Sequence, residues 1–243
     1  MSLRMKLGLL STCLLASTVL PLSKPRAWIY KAESFHSIQM SYPVLWLTPL
    51  SQADLNQDGT MECLHLEQGQ VVLLPTPCQP SSPPLWHSPP EWQVHQAFFS
   101  DLNRDGRTEL ALLVWRPFQP WPIDRFLVHP GRINSFHNSL NQSCHVILIG
   151  WQKRRGYVEL WAGSALAEPL NSFAAADLDG NGTAELIALE SSYDDPPGKP
   201  ARALSVWEWN GFGFTLLARQ YGNYREMRLA QINEGLTEIL TIE

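Results

Sequence analysis

The sequence predicts an all-β protein: a β-propeller of four blades, in which N-terminal strands close the ring against C-terminal strands. Three observations lead to this fold. An acidic string containing glycine recurs along the chain, short apolar runs flank each copy, and the chain ends after two strands of its last unit. Fifteen Gly and nineteen Pro in 243 residues are typical of many short strands joined by turns.

The acidic string occurs three times in full and once in a reduced form. The full copies are ADLNQDGTMECL, SDLNRDGRTEL and ADLDGNGTAELI, beginning at residues 53, 100 and 176. The reduced copy, AQINEGLTEIL, keeps Asn233, Gly235 and Glu238 but lacks one residue and the leading Asp. First positions at 54, 101, 177 and 231 give spacings of 47, 76 and 54 residues. A period of roughly fifty residues is typical of a propeller blade, and the long spacing then contains an insertion.

The string differs from an EF-hand calcium loop in the place of its last acid. Asp101, Asn103 and Asp105 alternate as they would in an EF-hand. However, an EF-hand needs a bidentate Glu at position twelve, where this chain has Leu112, and the acid comes at position nine as Glu109. The following apolar run is short and ends at a proline, which favours a strand over a helix. The loop is therefore predicted to join two strands.

The pattern Asp-x-(Asp/Asn)-x-(Asp/Asn)-Gly-x-x-Glu, followed by a short apolar strand, resembles the FG-GAP or VCBS repeat of integrin alpha-subunit propellers and many bacterial secreted proteins. In that family the loop joins the first two strands of a blade and binds calcium. The flanking Phe-Gly and Gly-Ala-Pro signatures are absent here, so the resemblance covers the loop and its strands. Seven blades are commoner in the family than four, and a partial ring completed by a second copy is the alternative.

The loops offer oxygen ligands at alternate positions. Positions one, three and five offer side-chain oxygens, position seven its backbone carbonyl and position nine a carboxylate, a set that favours calcium over magnesium. The predicted ligands, for up to three calcium ions, are Asp54, Asn56, Asp58, Thr60 and Glu62; Asp101, Asn103, Asp105, Arg107 and Glu109; and Asp177, Asp179, Asn181, Thr183 and Glu185. The fourth loop offers only Glu238 as a carboxylate and is not expected to bind. The alternative interpretation is a polar turn whose Asp and Asn bond their own backbone.

The strands of each blade follow from the apolar runs. Blade one is assigned VLWLTPLSQAD, MECLHLE and QVVLLP, with a poorly defined fourth strand in the proline-rich stretch 75–90. Blade two is assigned WQVHQAFFSD, ELALLVW, HVILIGW and YVELWAG, with an insertion at 117–143. Blade three is assigned NSFAAAD, AELIALE, ARALSVWEW and FGFTLLAR. The last unit supplies YREMRLAQI and TEILTIE, and AWIYKAE with HSIQMS from the N-terminal end would complete its blade, which removes open sheet edges.

The N-terminal residues have the form of an export signal. Arg4 and Lys6 precede an apolar run over residues 7–22 that is shorter than a membrane span. We therefore expect residues 1–27 to be a signal peptide or N-terminal anchor, and residues 28–243 to form an exported propeller that is secreted, periplasmic or on the cell surface. An uncleaved anchor, or a lipid attached at Cys13, stays open and would be the chain's contact with a membrane. Of the remaining cysteines, Cys63 and Cys78 could pair across neighbouring strands, leaving Cys144.

Beyond metal binding, the sequence shows no catalytic signature. Its His residues lack metal-ligand spacing, and no serine nucleophile elbow or phosphate loop occurs; His65, His95 and His145 are expected to be packed or solvated strand residues. A net charge of −5 predicts no nucleic-acid partner. The sequence thus favours a non-catalytic module for binding, adhesion or scaffolding, with a protein or glycan partner and structural calcium. A calcium-dependent carbohydrate-active enzyme, lyase-like, and a subunit of a larger envelope complex are the alternatives.

Overall fold

A computed structural model of the protein describes residues 25–39, 45–119, 135–231 and 237–243. Within these ranges the chain forms seventeen β-strands and no α-helix. The strands make four antiparallel sheets, arranged as a four-bladed β-propeller. The all-β, four-bladed fold expected from the repeats is therefore confirmed.

The four blades contain the following strands. Blade one comprises β4 (Gln52–Ala53), β5 (Glu62–Glu67), β6 (Gln70–Pro75) and β7 (Trp86–His87). Blade two comprises β8 (Gln93–Ser100), β9 (Glu109–Pro117), β10 (Gln142–Gln152) and β11 (Gly156–Ala162). Blade three comprises β12 (Leu170–Ala176), β13 (Glu185–Glu190), β14 (Ala201–Trp209) and β15 (Phe214–Tyr224). Blade four comprises β16 (Glu226–Gln231), β17 (Thr237–Ile242), β1 (Pro25–Lys31) and β2 (Ser34–Ile38), with β3 (Leu45–Trp46) added beside β16.

The N-terminal strands complete the blade that the C-terminal strands begin. β1 pairs antiparallel with β17, which places Trp28 opposite Ile239, and β2 pairs with β1. The indole Nε1 of Trp28 donates to Oγ1 of Thr241 at 3.0 Å. Closure of the ring by strands from both ends of the chain, as expected from the sequence, is therefore confirmed. β1 begins at Pro25, ahead of the boundary expected at residue 28.

One predicted strand is wrong. The run VLWLTPLSQAD was expected to form a single first strand of blade one, but it is divided between two sheets. Leu45–Trp46 forms β3 and pairs with β16 of blade four, whereas Gln52–Ala53 forms β4 and pairs with β5. Between them, the N–H of Phe99 in blade two donates to the carbonyl of Leu50 at 3.3 Å. Pro49 lacks a backbone N–H, so a continuous ladder cannot pass this point.

The core lies between adjacent blades, so the middle strands are buried on both faces. In β9, Leu110, Leu112 and Val114 pack towards blade one, whereas Ala111 and Leu113 pack towards blade three. This alternation follows from the two-residue period of a strand. Because both sets face apolar neighbours, the strand is a continuous apolar run rather than an alternating one. A further cluster joins blades three and four.

The junction between blade four and blade one is less packed than the other three. Within the described ranges, the remaining apolar cluster consists of Ala27, Ala230 and Leu240 with Ile38, all from blade four. Seven of the eleven large apolar residues that stay exposed lie between residues 45 and 85, in blade one and the segment before it. We call this junction the open seam.

The cysteines that could pair from their sequence positions do so. Cys63 of β5 and Cys78, which follows β6, form a disulfide with their Cα atoms 5.6 Å apart. Cys144 is free and buried. Burial raises the pKa of the Cys144 thiol to about 12, which suppresses the reactive thiolate.

Some sequence-based expectations fall outside the described residues. These are the signal segment up to residue 24, residues 40–44 at the end of HSIQMS and the start of VLWLTPLSQAD, residues 120–134 of the insertion at 117–143, and residues 232–236, which include Asn233 and Gly235 of the reduced copy. Among the residues that are described, no helix is long and apolar enough to cross a membrane.

We predict that Trp28→Ala destabilises the protein by about 3–5 kcal/mol, because it removes a large side chain buried between blades three and four. Trp28 is 6% exposed, whereas Trp46 is 47% exposed, so Trp46→Ala should cost less than about 1 kcal/mol. Urea unfolding followed by circular dichroism would measure both. Equal losses for the two variants would contradict ring closure through β1.

Candidate metal centres

The three predicted metal loops, loop one (54–62), loop two (101–109) and loop three (177–185), each join the first two strands of their blade. The residue before each loop pairs with the ninth-position glutamate: Ala53 with Glu62, Ser100 with Glu109, and Ala176 with Glu185. These glutamates are 2%, 0% and 1% exposed. They are buried because the ninth residue already belongs to a strand that lies between two blades. Glu238 pairs with Ala230 in the same way, so the strands on either side of the reduced copy have the same register in blade four.

The loops share a backbone conformation as well as a register. The sixth-position glycines Gly59, Gly106 and Gly182 have φ angles of 86°, 81° and 86°, a region that glycine adopts without penalty. The fourth position is also left-handed, with φ of 60° at Gln57, 59° at Arg104 and 80° at Gly180. The three copies of the string are therefore three copies of one loop structure.

The first-position aspartate of each loop accepts hydrogen bonds from the loop's own backbone. In loop two, Oδ1 of Asp101 accepts from the N–H of Asp105 at 3.1 Å and Oδ2 from the N–H of Gly106 at 2.9 Å. Asp54 and Asp177 make the equivalent bonds. These are the bonds that the polar-turn interpretation requires. They leave room for a cation, because each carboxylate oxygen has two lone pairs.

The middle ligand positions are linked to one another in the same way in every loop. The third-position side chains of Asn56, Asn103 and Asp179 accept from the fifth-position N–H. The seventh-position residues Thr60, Arg107 and Thr183 donate their N–H to the fifth-position side chains of Asp58, Asp105 and Asn181. This network gives the three loops the same local hydrogen bonds.

The acidic groups converge in two of the three loops. Carboxylate oxygens lie within 4.8 Å of one another for Asp101, Asp105 and Glu109, and for Asp177, Asp179 and Glu185. Loop one, whose three acids are all described, does not show this spacing. Such crowding raises the electrostatic energy of the ionised acids unless a positive charge or protons compensate.

In loop one, the ninth-position glutamate is hydrogen-bonded on both oxygens. The hydroxyl of Tyr157, from β11 of blade two, donates to Oε1 of Glu62 at 2.6 Å. The N–H of Leu55 donates to Oε2 at 2.7 Å. Tyr157 also receives a bond from the side chain of Asn56 at 3.3 Å. A neutral donor from the neighbouring blade therefore supports this carboxylate.

In loop three, the corresponding glutamate is paired with a cation. Nη2 of Arg104 lies 2.6 Å from Oε1 of Glu185, and the N–H of Leu178 donates to Oε2 at 2.8 Å. Burial raises the pKa of Glu185, while the Leu178 N–H and Arg104 act to lower it. Arg104 belongs to loop two, so this pair also crosses a blade junction.

In loop two, the ninth-position glutamate has no such partner. Both carboxylate oxygens of Glu109 are buried without a hydrogen bond. Burial, with Asp105 and Asp101 beside it, raises the pKa of Glu109 to about 8. The N–H groups of Asn103 and Leu102 act to lower this pKa, but neither forms a hydrogen bond to the carboxylate. Glu109 is thus a buried acid that faces two other acids and receives no donor.

Sequence reasoning missed Arg104 and Tyr157, the two residues that distinguish the loops. Neither occupies a predicted ligand position, and their glutamate partners lie 81 and 95 residues away along the chain. The repeat pattern identifies the glutamates as equivalent. It cannot show that Arg104 of another loop, or Tyr157 outside the loops, gives these glutamates different partners.

The axial cavity and the buried histidine show no catalytic arrangement in the described part of the chain. The cavity, of ≈ 830 Å³, is lined mainly by apolar and small residues, and its charged lining residues are Asp101, Asp177 and Arg228. His145 has both ring nitrogens occupied, with Nε2 2.7 Å from Oγ of Ser143 and Nδ1 2.9 Å from the carbonyl oxygen of Gly163. Burial lowers the pKa of His145 to about 4, so it is a neutral, packed strand residue.

Comparisons with known proteins do not extend this description. No protein-family model, curated protein or solved structure matches the chain.

We predict that Glu109→Gln stabilises the protein in excess chelator at pH 7, by about 1–3 kcal/mol. Burial raises the pKa of the Glu109 carboxyl from its ordinary value of 4.5 to about 8 in the folded protein. Its contribution to stability is therefore present below pH 4.5 and is lost as the pH rises through 8. The glutamine variant lacks this loss, which denaturant unfolding at several pH values would measure.

Glu62→Gln provides the matched control, because it makes the same exchange at the same loop position. Glu62 accepts two hydrogen bonds, so replacing one accepting oxygen by an amide nitrogen should destabilise the protein by about 1–2 kcal/mol. A destabilised Glu109→Gln variant in chelator would contradict the description of Glu109 as an uncompensated acid.

Proposed function

We propose that the protein is an exported, calcium-binding β-propeller that serves as a non-catalytic binding, adhesion or scaffold module. Calcium is structural in this proposal, and loop two is its principal site. The observation that carries the proposal is Glu109, which is fully buried beside Asp101 and Asp105 with both carboxylate oxygens unpaired.

Glu109 supports a cation because a buried carboxylate without a donor is costly to keep ionised. Its neighbours in loop two are oxygen donors, and hard oxygen ligands in a loop suit calcium better than a transition metal. Asp101, Asn103, Asp105 and Glu109, with the carbonyl of Arg107, are the residues that would hold the ion. The bound ion would supply the positive charge that the protein itself lacks at this point.

The chain's own residues prepare loop two for this role. The N–H groups of Asp105 and Gly106 orient Asp101, and the pairing of Ser100 with Glu109 fixes where the ninth carboxylate enters the loop. Full burial of Glu109 excludes water from its side of the site. Loop three offers a similar acidic cluster, while the acids of loop one lie further apart.

We propose a relationship to the FG-GAP or VCBS repeats on the same basis. Three loops of the expected pattern join the first two strands of their blades, which is the placement that the resemblance implies. The departures are the four-bladed ring and the missing flanking signatures.

The module is proposed to be exported and to bind a protein or glycan partner. Support for export comes from the charged and apolar form of the N-terminal sequence and from the disulfide between Cys63 and Cys78, which is typical of oxidising compartments. The lyase-like alternative needs several acidic or basic groups converging on the axis. Of the charged side chains described there, Asp101 and Asp177 are already assigned to the loops.

We predict that removing calcium lowers the melting temperature by about 5–10 °C, since an ion at 100 times its dissociation constant stabilises by about 2.7 kcal/mol. Asp101→Asn should lose most of this difference because it removes a ligand from loop two. Asp194→Asn, which neutralises an exposed acid outside the loops, should keep it. Calorimetry with calcium, with magnesium and with excess chelator would measure the shift. Identical melting in all three solutions would refute structural calcium.

A further inference from the structure

Arg104 occupies the fourth position of loop two, yet its side chain contacts residues of loop three. Nη2 lies 2.6 Å from Oε1 of Glu185 and 3.5 Å from the carbonyl oxygen of Ala184. Nη1 donates to Oε1 of Glu208 in β14. The Arg104 side chain is 15% exposed and that of Glu185 is 1% exposed. The pair therefore lies inside the junction between blades two and three, where water screens charges poorly.

The backbone at Arg104 shows that its side chain is held at a conformational cost. Its φ of 59° lies in the left-handed region, which is unfavourable for residues other than Gly, Asn and Asp. Loop three has Gly180 at this position and loop one has Gln57. The ion pairs with Glu185 and Glu208 offset the cost at Arg104, so the side chain rather than the turn explains the arginine.

The three loops differ in the group that compensates the negative charge of the buried ninth-position carboxylate. Each contains three carboxylates. At the ninth position, loop one has a hydroxyl donor, loop two has none, and loop three has a guanidinium group. A cation next to Glu185 does what a metal would do, because it neutralises the buried acid.

We propose that Arg104 is an internal counter-ion that takes the place of a metal at Glu185. Loop three then keeps its structure without calcium and binds calcium more weakly than loop two. This inference rests on the proposed binding of calcium by the loops. It adds a regulatory rule to that function: a residue of loop two sets the affinity of loop three.

Glu208 makes this arrangement reversible. It is not a predicted metal ligand, and its side chain is 39% exposed. Arg104 therefore keeps an acidic partner when Glu185 is engaged elsewhere.

The test replaces Arg104 by the residue that loop one has at the same position, glutamine, which adopts φ of 60° there at Gln57. In excess chelator, Arg104→Gln should melt about 5–10 °C below wild type, because it leaves a buried acid without its cation. Arg154→Gln is the matched control, since it removes the same charge from an exposed position outside the loops. It should melt within about 2 °C of wild type.

Calcium separates a metal-like role for Arg104 from that of an ordinary ion pair. Adding millimolar calcium should raise the melting temperature of Arg104→Gln by several degrees more than that of wild type, because the ion replaces the missing charge at Glu185. The additional shift should vanish when Asp177→Asn removes the first ligand of loop three. Arg104→Lys, which keeps the charge, should melt close to wild type in chelator and show no additional shift.

Each outcome decides the matter. Wild-type melting of Arg104→Gln in chelator overturns the inference, and so does a destabilised variant that calcium does not rescue. A wild type that does not respond to calcium overturns the proposed function together with the inference. A responding wild type with an unrescued variant overturns the inference alone.

Discussion

The structure depends on a carboxylate that the repeat places at the base of each acidic loop, in a strand with no access to water. The register of the first two strands fixes the position of Glu62, Glu109 and Glu185. A buried acid must be paired, hydrogen-bonded or protonated. The Tyr157 hydroxyl donates a hydrogen bond to Glu62, and the Arg104 guanidinium forms an ion pair with Glu185. No described side chain makes an equivalent hydrogen bond to Glu109. The proposed role of a metal in loop two thus rests on one missing partner rather than on the acidic string itself.

The partners of these carboxylates also connect the blades. Tyr157 belongs to blade two and contacts the loop of blade one. Arg104 belongs to blade two and contacts the loop and third strand of blade three. The apolar clusters pack the same two junctions. The loops therefore contribute contacts between neighbouring blades in addition to joining strands within a blade.

The fold could be predicted from the sequence because it is encoded locally and repeatedly. The recurring string, the uninterrupted apolar runs and the half-unit at the chain's end fix the blade count and the closure by β1 and β2. The division of VLWLTPLSQAD into β3 and β4 was not predictable from apolar content, since tertiary pairing decides it, although Pro49 marked the break. The difference between the loops in the partners of their ninth-position glutamates was also not predictable from the sequence. It arises from contacts between residues 81 and 95 positions apart, and a repeat pattern does not show contacts between different copies or with residues outside it.

At the open seam, main-chain hydrogen bonds join blade one to blade four, and the described residues of these two blades share no apolar cluster. Blade one shares an apolar cluster with blade two, while segment 45–50 joins it to blade four through backbone bonds such as that from Leu47 to Leu229. Local opening free energies follow the density of buried contacts. Amide hydrogens of β5 and β6 should therefore exchange with solvent sooner than those of β9 and β13, so that blade one unfolds as a separate cooperative unit while the other blades remain intact.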